Sequence, residues 1–156
     1  MLRGLTEGDV KFVVVGGLAA AAHGSRRVTD DLDICYDDSK RNVERLAFLL
    51  SSWNAYPRGI EKGLPFFMDE KQFRSTPVMT LTTREGFIDV LDVVKGVGRF
   101  GECRERSRFV EAFDVRFRVL DLTALIDSKR AAARPKDLDQ IPELEALLAI
   151  ASDHSS

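Results

Sequence analysis

The chain has 156 residues, the size of one compact domain, and its 44% hydrophobic and 31% charged content can bury a core, which excludes a disordered chain. Lys and Arg number 23 against 25 Asp and Glu, a formal charge of −2 that excludes the global basic field of a protein coating nucleic acid. No apolar run reaches the roughly 20 residues of a bilayer crossing, and the first nine residues turn to charge before a signal-type stretch forms, so a cytoplasmic protein without a membrane partner is expected.

One domain over residues 1–156 is the expectation, with a helical segment at about 121–151. Lys11-Phe12-Val13-Val14-Val15 is a short apolar, β-branched run ending at Gly16-Gly17, the pattern of a buried strand closed by a tight turn. Strong helix formers follow from Leu18 to His23, with Gly24-Ser25 as the stop. From Asp31 to Asp37 the chain alternates, with Leu32, Ile34 and Tyr36 on one face and Asp31, Asp33, Cys35 and Asp37 on the other, which predicts a half-buried strand. Ser39 is the candidate cap of a helix over 39–51, whose core stripe is Val43, Leu46, Ala47, Leu49 and Leu50.

Residues 56–69, with Pro57, Gly59, Gly63 and Pro65, read as short strands or loops. Residues 77–83 and 86–94 predict a hairpin around Arg84-Glu85. Residues 96–108, with three glycines and four arginines, read as a mobile solvated loop. A second hairpin over 109–120 turns near Asp114, a helix follows over 122–133, and Pro135 opens another helical stretch that Pro142 restarts toward Ile150. The order β, α, β, α, mostly antiparallel β, then helices is an α+β layout around a small mixed sheet with flanking helices. Cys35 and Cys103 stand singly, far apart in sequence, without CxxC spacing or a nearby histidine; they read as packing or surface thiols, not a zinc site.

Asp31 and Asp33 carry the first chemical signal. Two apart on a strand, they project from one face with Cα atoms about 6.6 Å apart. Adjacent carboxylates repel unless a cation lies between them, and hard oxygen ligands suit Mg²⁺ or Mn²⁺. Upstream, Gly16-Gly17 closes a strand and opens a helix, where free backbone N–H groups favour phosphate. Arg26 and Arg27 lie between that helix and the acidic strand, and a guanidinium there matches phosphate oxygens. His23 beside an alanine helix reads as a packing or capping residue, and Asp30, off-parity from Asp31 and Asp33, as a loop or capping residue.

The run Val15-Gly16-Gly17-Leu18-Ala19-Ala20-Ala21-Ala22-His23-Gly24-Ser25-Arg26-Arg27-Val28-Thr29-Asp30-Asp31-Leu32-Asp33 resembles the GG-x-A-x-x-x-HG-x-x-R-x-T-x-D-x-D signature of minimal nucleotidyltransferases of the DNA polymerase β superfamily. Within it the chain looks most like the small bacterial abortive-infection and toxin–antitoxin nucleotidyltransferases. The stretch from Leu125 to Leu138 resembles their helical K-x-x-A-x-R-x-K-D segment, so the resemblance brackets about residues 12–141, the middle being matched by layout alone.

The resemblance implies a polymerase β-like fold, three acids, two Mg²⁺ or Mn²⁺ ions and a nucleoside triphosphate such as ATP. Asp31 and Asp33 fall on the paired acids. Asp89, in Phe87-Ile88-Asp89-Val90-Leu91, best matches the third, with Asp92 as its rival; three apart on a strand, the two point to opposite faces. Gly16, Gly17, Ser25, Arg27 and Lys129 are the implied triphosphate contacts, with Arg134, Lys136 and Asp137 supporting the site or the acceptor. The implied acceptor is a hydroxyl of an RNA end such as tRNA, a protein side chain or a small molecule. A homodimer or a cognate toxin or antitoxin is the implied protein partner. Two other readings stand beside this one: a catalytically weak member that binds nucleotide or partner, and a glycosyltransferase using Asp31-Leu32-Asp33 for a nucleotide sugar, for which 156 residues are short.

Overall fold

The computed structural model describes residues 1–61, 63, 66 and 68–154. In chain order the elements are α1 (Leu2–Glu7), β1 (Phe12–Val15), α2 (Gly16–Ala22), β2 (Asp31–Tyr36), α3 (Lys40–Ser52), β3 (Tyr56–Pro57), α4 (Glu70–Ser75), β4 (Val78–Thr83) and β5 (Gly86–Leu91). They continue as β6 (Val93–Val94), β7 (Gly98–Arg99), α5 (Phe100–Glu105), β8 (Ser107–Ala112), β9 (Val115–Leu120), α6 (Leu122–Ala132) and α7 (Pro135–His154).

Seven strands form one mixed sheet in the order β3-β4-β5-β2-β1-β9-β8, with β2–β5 and β1–β9 parallel and the other pairings antiparallel. β1 lies near the middle, which is why Phe12, Val13, Val14 and Val15 are all buried. On β2 the alternation acts as its pattern requires: Leu32, Ile34 and Tyr36 join the core while Asp31 and Asp33 stay partly accessible. Helix α3 buries Val43, Leu46, Ala47 and Leu50 of the expected stripe. Leu125 of α6 and Leu144 of α7 complete the core on the carboxy-terminal side. The mixed sheet with flanking helices is the α+β class expected.

Both hairpins form where their turn chemistry puts them. Thr83 pairs with Gly86 around Arg84-Glu85, and Ala112 pairs with Val115 around Phe113-Asp114, both of which have positive φ as a primed turn demands. Several boundaries differ from the sequence reading. Strand β5 ends at Leu91, so Asp92 stands between strands, and Val93 and Val94 pair instead with β7. The stretch read as a mobile loop contains β7 and α5, because Cys103 is fully buried and Phe100 packs on the core. Helix α1 was not anticipated; Leu2 and Leu5, three apart, bury against the core. Helix α4, capped by the Asp69 side chain accepting from Gln72 N–H, follows the Gly- and Pro-rich segment. Pro65 lies outside the described residues.

Helix α7 runs unbroken through Pro142, where a restart was expected. Pro142 and the residue four before it, Leu138, are both exposed, so the carbonyl that loses its helical partner faces water and the break is tolerated. Ser39 occupies the N-cap position of α3, but its side chain makes no capping hydrogen bond; its own N–H instead donates to Asp37 Oδ1 at 3.1 Å. Cys35 and Cys103 are both fully buried, their thiols donating to Asp92 O at 3.9 Å and Gly98 O at 3.6 Å, so the packing reading holds and the surface reading does not. No helix among the described residues is long and apolar enough to cross a membrane.

Candidate active site

The parallel pairing of β2 with β5 builds the acidic cluster. Its register puts Asp33 directly opposite Asp89, with Asp31 two residues before Asp33 on the same strand face. The Asp33 and Asp89 carboxyl groups are close enough to share a hydrogen bond. Burial, then the Asp89 hydrogen bond and the charges of Asp89 and Asp31, push the Asp33 carboxyl up to about 7, against the opposing pull of Lys129. Two adjacent carboxylates in a half-buried site resist full ionisation, so they hold a proton between them or call for a cation.

Glycine at 16 is required by that arrangement. Its φ is +65°, and a Cβ there would stand 2.0 Å from Asp33 Oδ2. The turn out of β1 thus brings bare backbone against the carboxylate. At Gly17 the constraint is a different neighbour: a Cβ would fall 2.8 Å from the Thr29 hydroxyl, which locks the start of α2 against the segment leading into β2.

A cavity of about 280 Å³ opens beside the pair, lined by Gly16, Asp33, Asp89, Lys95, Ser128, Lys129, Arg134 and Asp137. Helix α6 supplies Lys129 and α7 supplies Asp137, and the α6–α7 connection through Ala133, in the left-handed conformation, brings them together. Asp137 is 1% exposed. It accepts from Arg134 Nε at 2.6 Å, Arg134 NH2 at 3.2 Å, Arg134 N–H at 3.2 Å and Lys129 Nζ at 3.5 Å. The Arg134 hydrogen bond holds its carboxyl below the usual carboxylate range. Lys129 is anchored from behind while its ammonium acts on Asp33.

The remaining predicted residues divide. Asp92 lies outside this cavity, 3.9 Å from Arg99, and lines another one with Tyr36 and Asp38. Ser25 donates its hydroxyl to Glu143 of α7 at 2.5 Å and accepts Arg27 N–H at 3.3 Å, so its proton is engaged by the carboxy-terminal helix. Arg26, Arg27 and Val28 are exposed on the segment between α2 and β2, and neither arginine lines the cavity; nor do Gly17 and Lys136. His23 is structural: Nε2–H donates to the Leu120 carbonyl at 2.8 Å and Nδ1 accepts from Arg108 at 2.9 Å, while burial lowers its pKa.

Arg58 was missed by sequence reasoning. It follows β3 in the Gly- and Pro-rich segment, where no pattern singles it out, and its guanidinium lies 3.4 Å from Asp31 Oδ2 and 3.2 Å from Asp89 Oδ1. Lys95 and Ser128 were missed as well.

The donor set fits a hard divalent ion: three carboxylates on one sheet face, one of them driven toward protonation by burial and then by the other two. As the side chains stand, with Arg58 between Asp31 and Asp89, no three His, Cys, Asp or Glu among the described residues are arranged to enclose an ion.

The fold of the chain is similar to that in the crystal structure of a "putative nucleotidyltransferase" from Thermotoga maritima, with a TM-score of 0.54, at 17% identity, covering 97% of this chain and 88% of that one. This chain has a nucleotidyltransferase-like fold. No protein-family model and no curated protein matches the sequence. At that identity the likeness speaks for the fold, and chemistry has to be argued from the residues.

Proposed function

We propose that the protein is a metal-dependent nucleotidyltransferase that moves a nucleoside monophosphate from a nucleoside triphosphate to a hydroxyl acceptor. The observation that carries this reading is the abutting pair Asp33 and Asp89 beside Gly16, with Lys129 reaching the same cavity. Asp31, Asp33 and Asp89 would hold Mg²⁺ or Mn²⁺, and two such ions would supply Lewis acidity toward the α-phosphate and neutralise charge on the departing pyrophosphate.

The chain's own groups have distinct tasks. Asp89 accepts the proton of the acceptor hydroxyl as its oxygen bonds to the α-phosphorus. The bond from that phosphorus to the bridging oxygen breaks, and pyrophosphate leaves with the electron pair. Lys129, oriented by Asp137, meets the negative charge of the triphosphate. Gly16 and Gly17 keep the strand-to-helix turn free of side chains, which leaves backbone room for a phosphate. Ser25 and Arg27 remain the proposed flank for the triphosphate, Arg27 with the freer side chain. An RNA end such as tRNA, a partner protein or a small molecule is the acceptor class, and service in a toxin–antitoxin pair in the cytoplasm is consistent with it.

The test is incubation with each α-labelled nucleoside triphosphate, Mg²⁺ or Mn²⁺ and total tRNA, followed by separate resolution of RNA and protein. Label should appear in one fraction with the wild type, and Asp33→Asn should lower transfer by at least about 10²-fold with the fold retained. Normal turnover by Asp33→Asn would overturn the assignment. Nucleotide binding without transfer to any acceptor would favour the binding-only member instead. Arg27→Ala should weaken nucleotide affinity several-fold, and unchanged affinity would remove Arg27 from the site.

A further inference from the structure

We propose that Arg58 is the resident counter-cation of the acidic cluster when no divalent ion is bound, and that an entering metal ion must displace it. The inference rests on the reading of Asp31, Asp33 and Asp89 as metal ligands, and it adds a residue that sets how tightly they bind.

Arg58 is delivered from the far side of β4. Its backbone N–H donates to Thr80 O at 2.9 Å, and its guanidinium lies 4.7 Å above the centre of the Phe87 ring on β5. From there one amino group is 3.4 Å from Asp31 Oδ2. The other donates to Asp89 Oδ1 at 3.2 Å and to Leu81 O at 3.1 Å. A single planar cation therefore bridges two carboxylates from adjacent strands, the place a divalent ion would take between them.

The fit of that bridge is poor in ways that matter. Charge-assisted N–H to carboxylate bonds settle near 2.7–2.9 Å, and both carboxylate contacts of Arg58 are longer. Its Nε is buried without a hydrogen-bond partner among the described residues, which carries a desolvation cost. Arg134 on Asp137, in the cavity beside Asp89, is the contrast, with a 2.6 Å bond and two further ones to the same carboxylate. One pair is built to stay. The other neutralises two acids imperfectly, leaves Asp33 to Lys129 and a shared proton, and carries one positive charge where three carboxylates stand. A divalent ion brings twice the charge with shorter ligand distances, so exchange is favourable once it arrives, but Arg58 has to be expelled first. Metal affinity is lowered accordingly.

The test is titration of Mn²⁺ into metal-free protein by calorimetry and by electron paramagnetic resonance, with wild type, Arg58→Gln, Arg58→Lys and Asp89→Asn. Arg58→Gln should bind Mn²⁺ about tenfold more tightly than wild type, a gain of about 1.4 kcal/mol, with Arg58→Lys between them. In chelator Arg58→Gln should melt below wild type, and Mn²⁺ should raise its midpoint by more. A folded Arg58→Gln with equal or weaker Mn²⁺ affinity overturns the proposal while leaving the metal reading standing. Wild type that binds no Mn²⁺, or Asp89→Asn that binds it as well as wild type, overturns the metal reading and this proposal with it. Should Arg58→Gln fold only with Mn²⁺ present, the proposal is supported. Should it not fold at all, Arg58→Lys decides: tighter binding than wild type supports displacement and no gain overturns it.

Discussion

Two of the cavities lined by aspartate and arginine differ in kind, and of this pair the smaller has the makings of chemistry. The larger, about 650 Å³, holds Asp38 and Asp92 on either side of the exposed Arg99, which pairs closely with Asp38 and lies 3.9 Å from Asp92. Its acids are separated and neutralised, and ion pairs this exposed contribute little. The smaller, about 280 Å³, presses Asp33 against Asp89, pushes one carboxyl to about 7 and keeps Lys129 at a fixed distance behind Asp137. Unresolved electrostatic conflict, rather than volume, marks out the candidate site.

The sharpest way to break that contrast is to exchange the two third-acid candidates. Asp89→Asn should cut nucleotidyl transfer by at least about 10²-fold, while Asp92→Asn should stay within about twofold, as a surface charge change does. Equal losses in a steady-state assay would show that the larger cavity belongs to the site. Next in size is Asp137→Ala, which strips a 1% exposed carboxylate from Lys129 and Arg134. A loss of about 2 kcal/mol is expected, and a melting midpoint lower by about 4–8 °C in calorimetry. An unchanged midpoint would mean that the anchor holds nothing.

The remaining effect is a pH dependence in the metal-free protein. Asp33 has a folded pKa of about 7 against an ordinary 3.8, so the folded state holds its proton more firmly than the unfolded one. Below about pH 4 the group is protonated in both states and contributes nothing; above about 7 it is ionised in both and the full penalty applies. Its contribution to stability therefore falls as pH rises through that window. Asp33→Asn should melt with wild type at pH 4 and above it at pH 8 in chelator, the gap widening as pH rises between the two. Coincident curves at pH 8 would show that Asp33 is not strained.

Much of this was legible in the chain. The alternation of Leu32, Ile34 and Tyr36 with Asp31 and Asp33 put the acids on a strand, and Phe12 to Val15 before Gly16-Gly17 read as a buried strand and turn, as observed. Hydrophobic periodicity and turn residues are local, and local energies suffice to express them. Where the reading failed, the deciding interaction was distant in sequence. Cys103 and Phe100 turned an expected loop into α5 by burial against the core, and solvent on one side of α7 allowed Pro142 to stay inside the helix.

The sequence by itself determined the α+β class and the placement of Asp31 and Asp33 on one face of β2, because both follow from period and spacing within a short window, whereas Asp89 as a third acid came from the family resemblance. Only the tertiary structure decided that β5 lies parallel to β2 in a register opposing Asp89 to Asp33, that Asp92 falls past the end of its strand, and that Arg58 spans Asp31 and Asp89. Strand register and the reach of a long side chain depend on how the whole core packs, and no stretch of neighbouring residues contains that information.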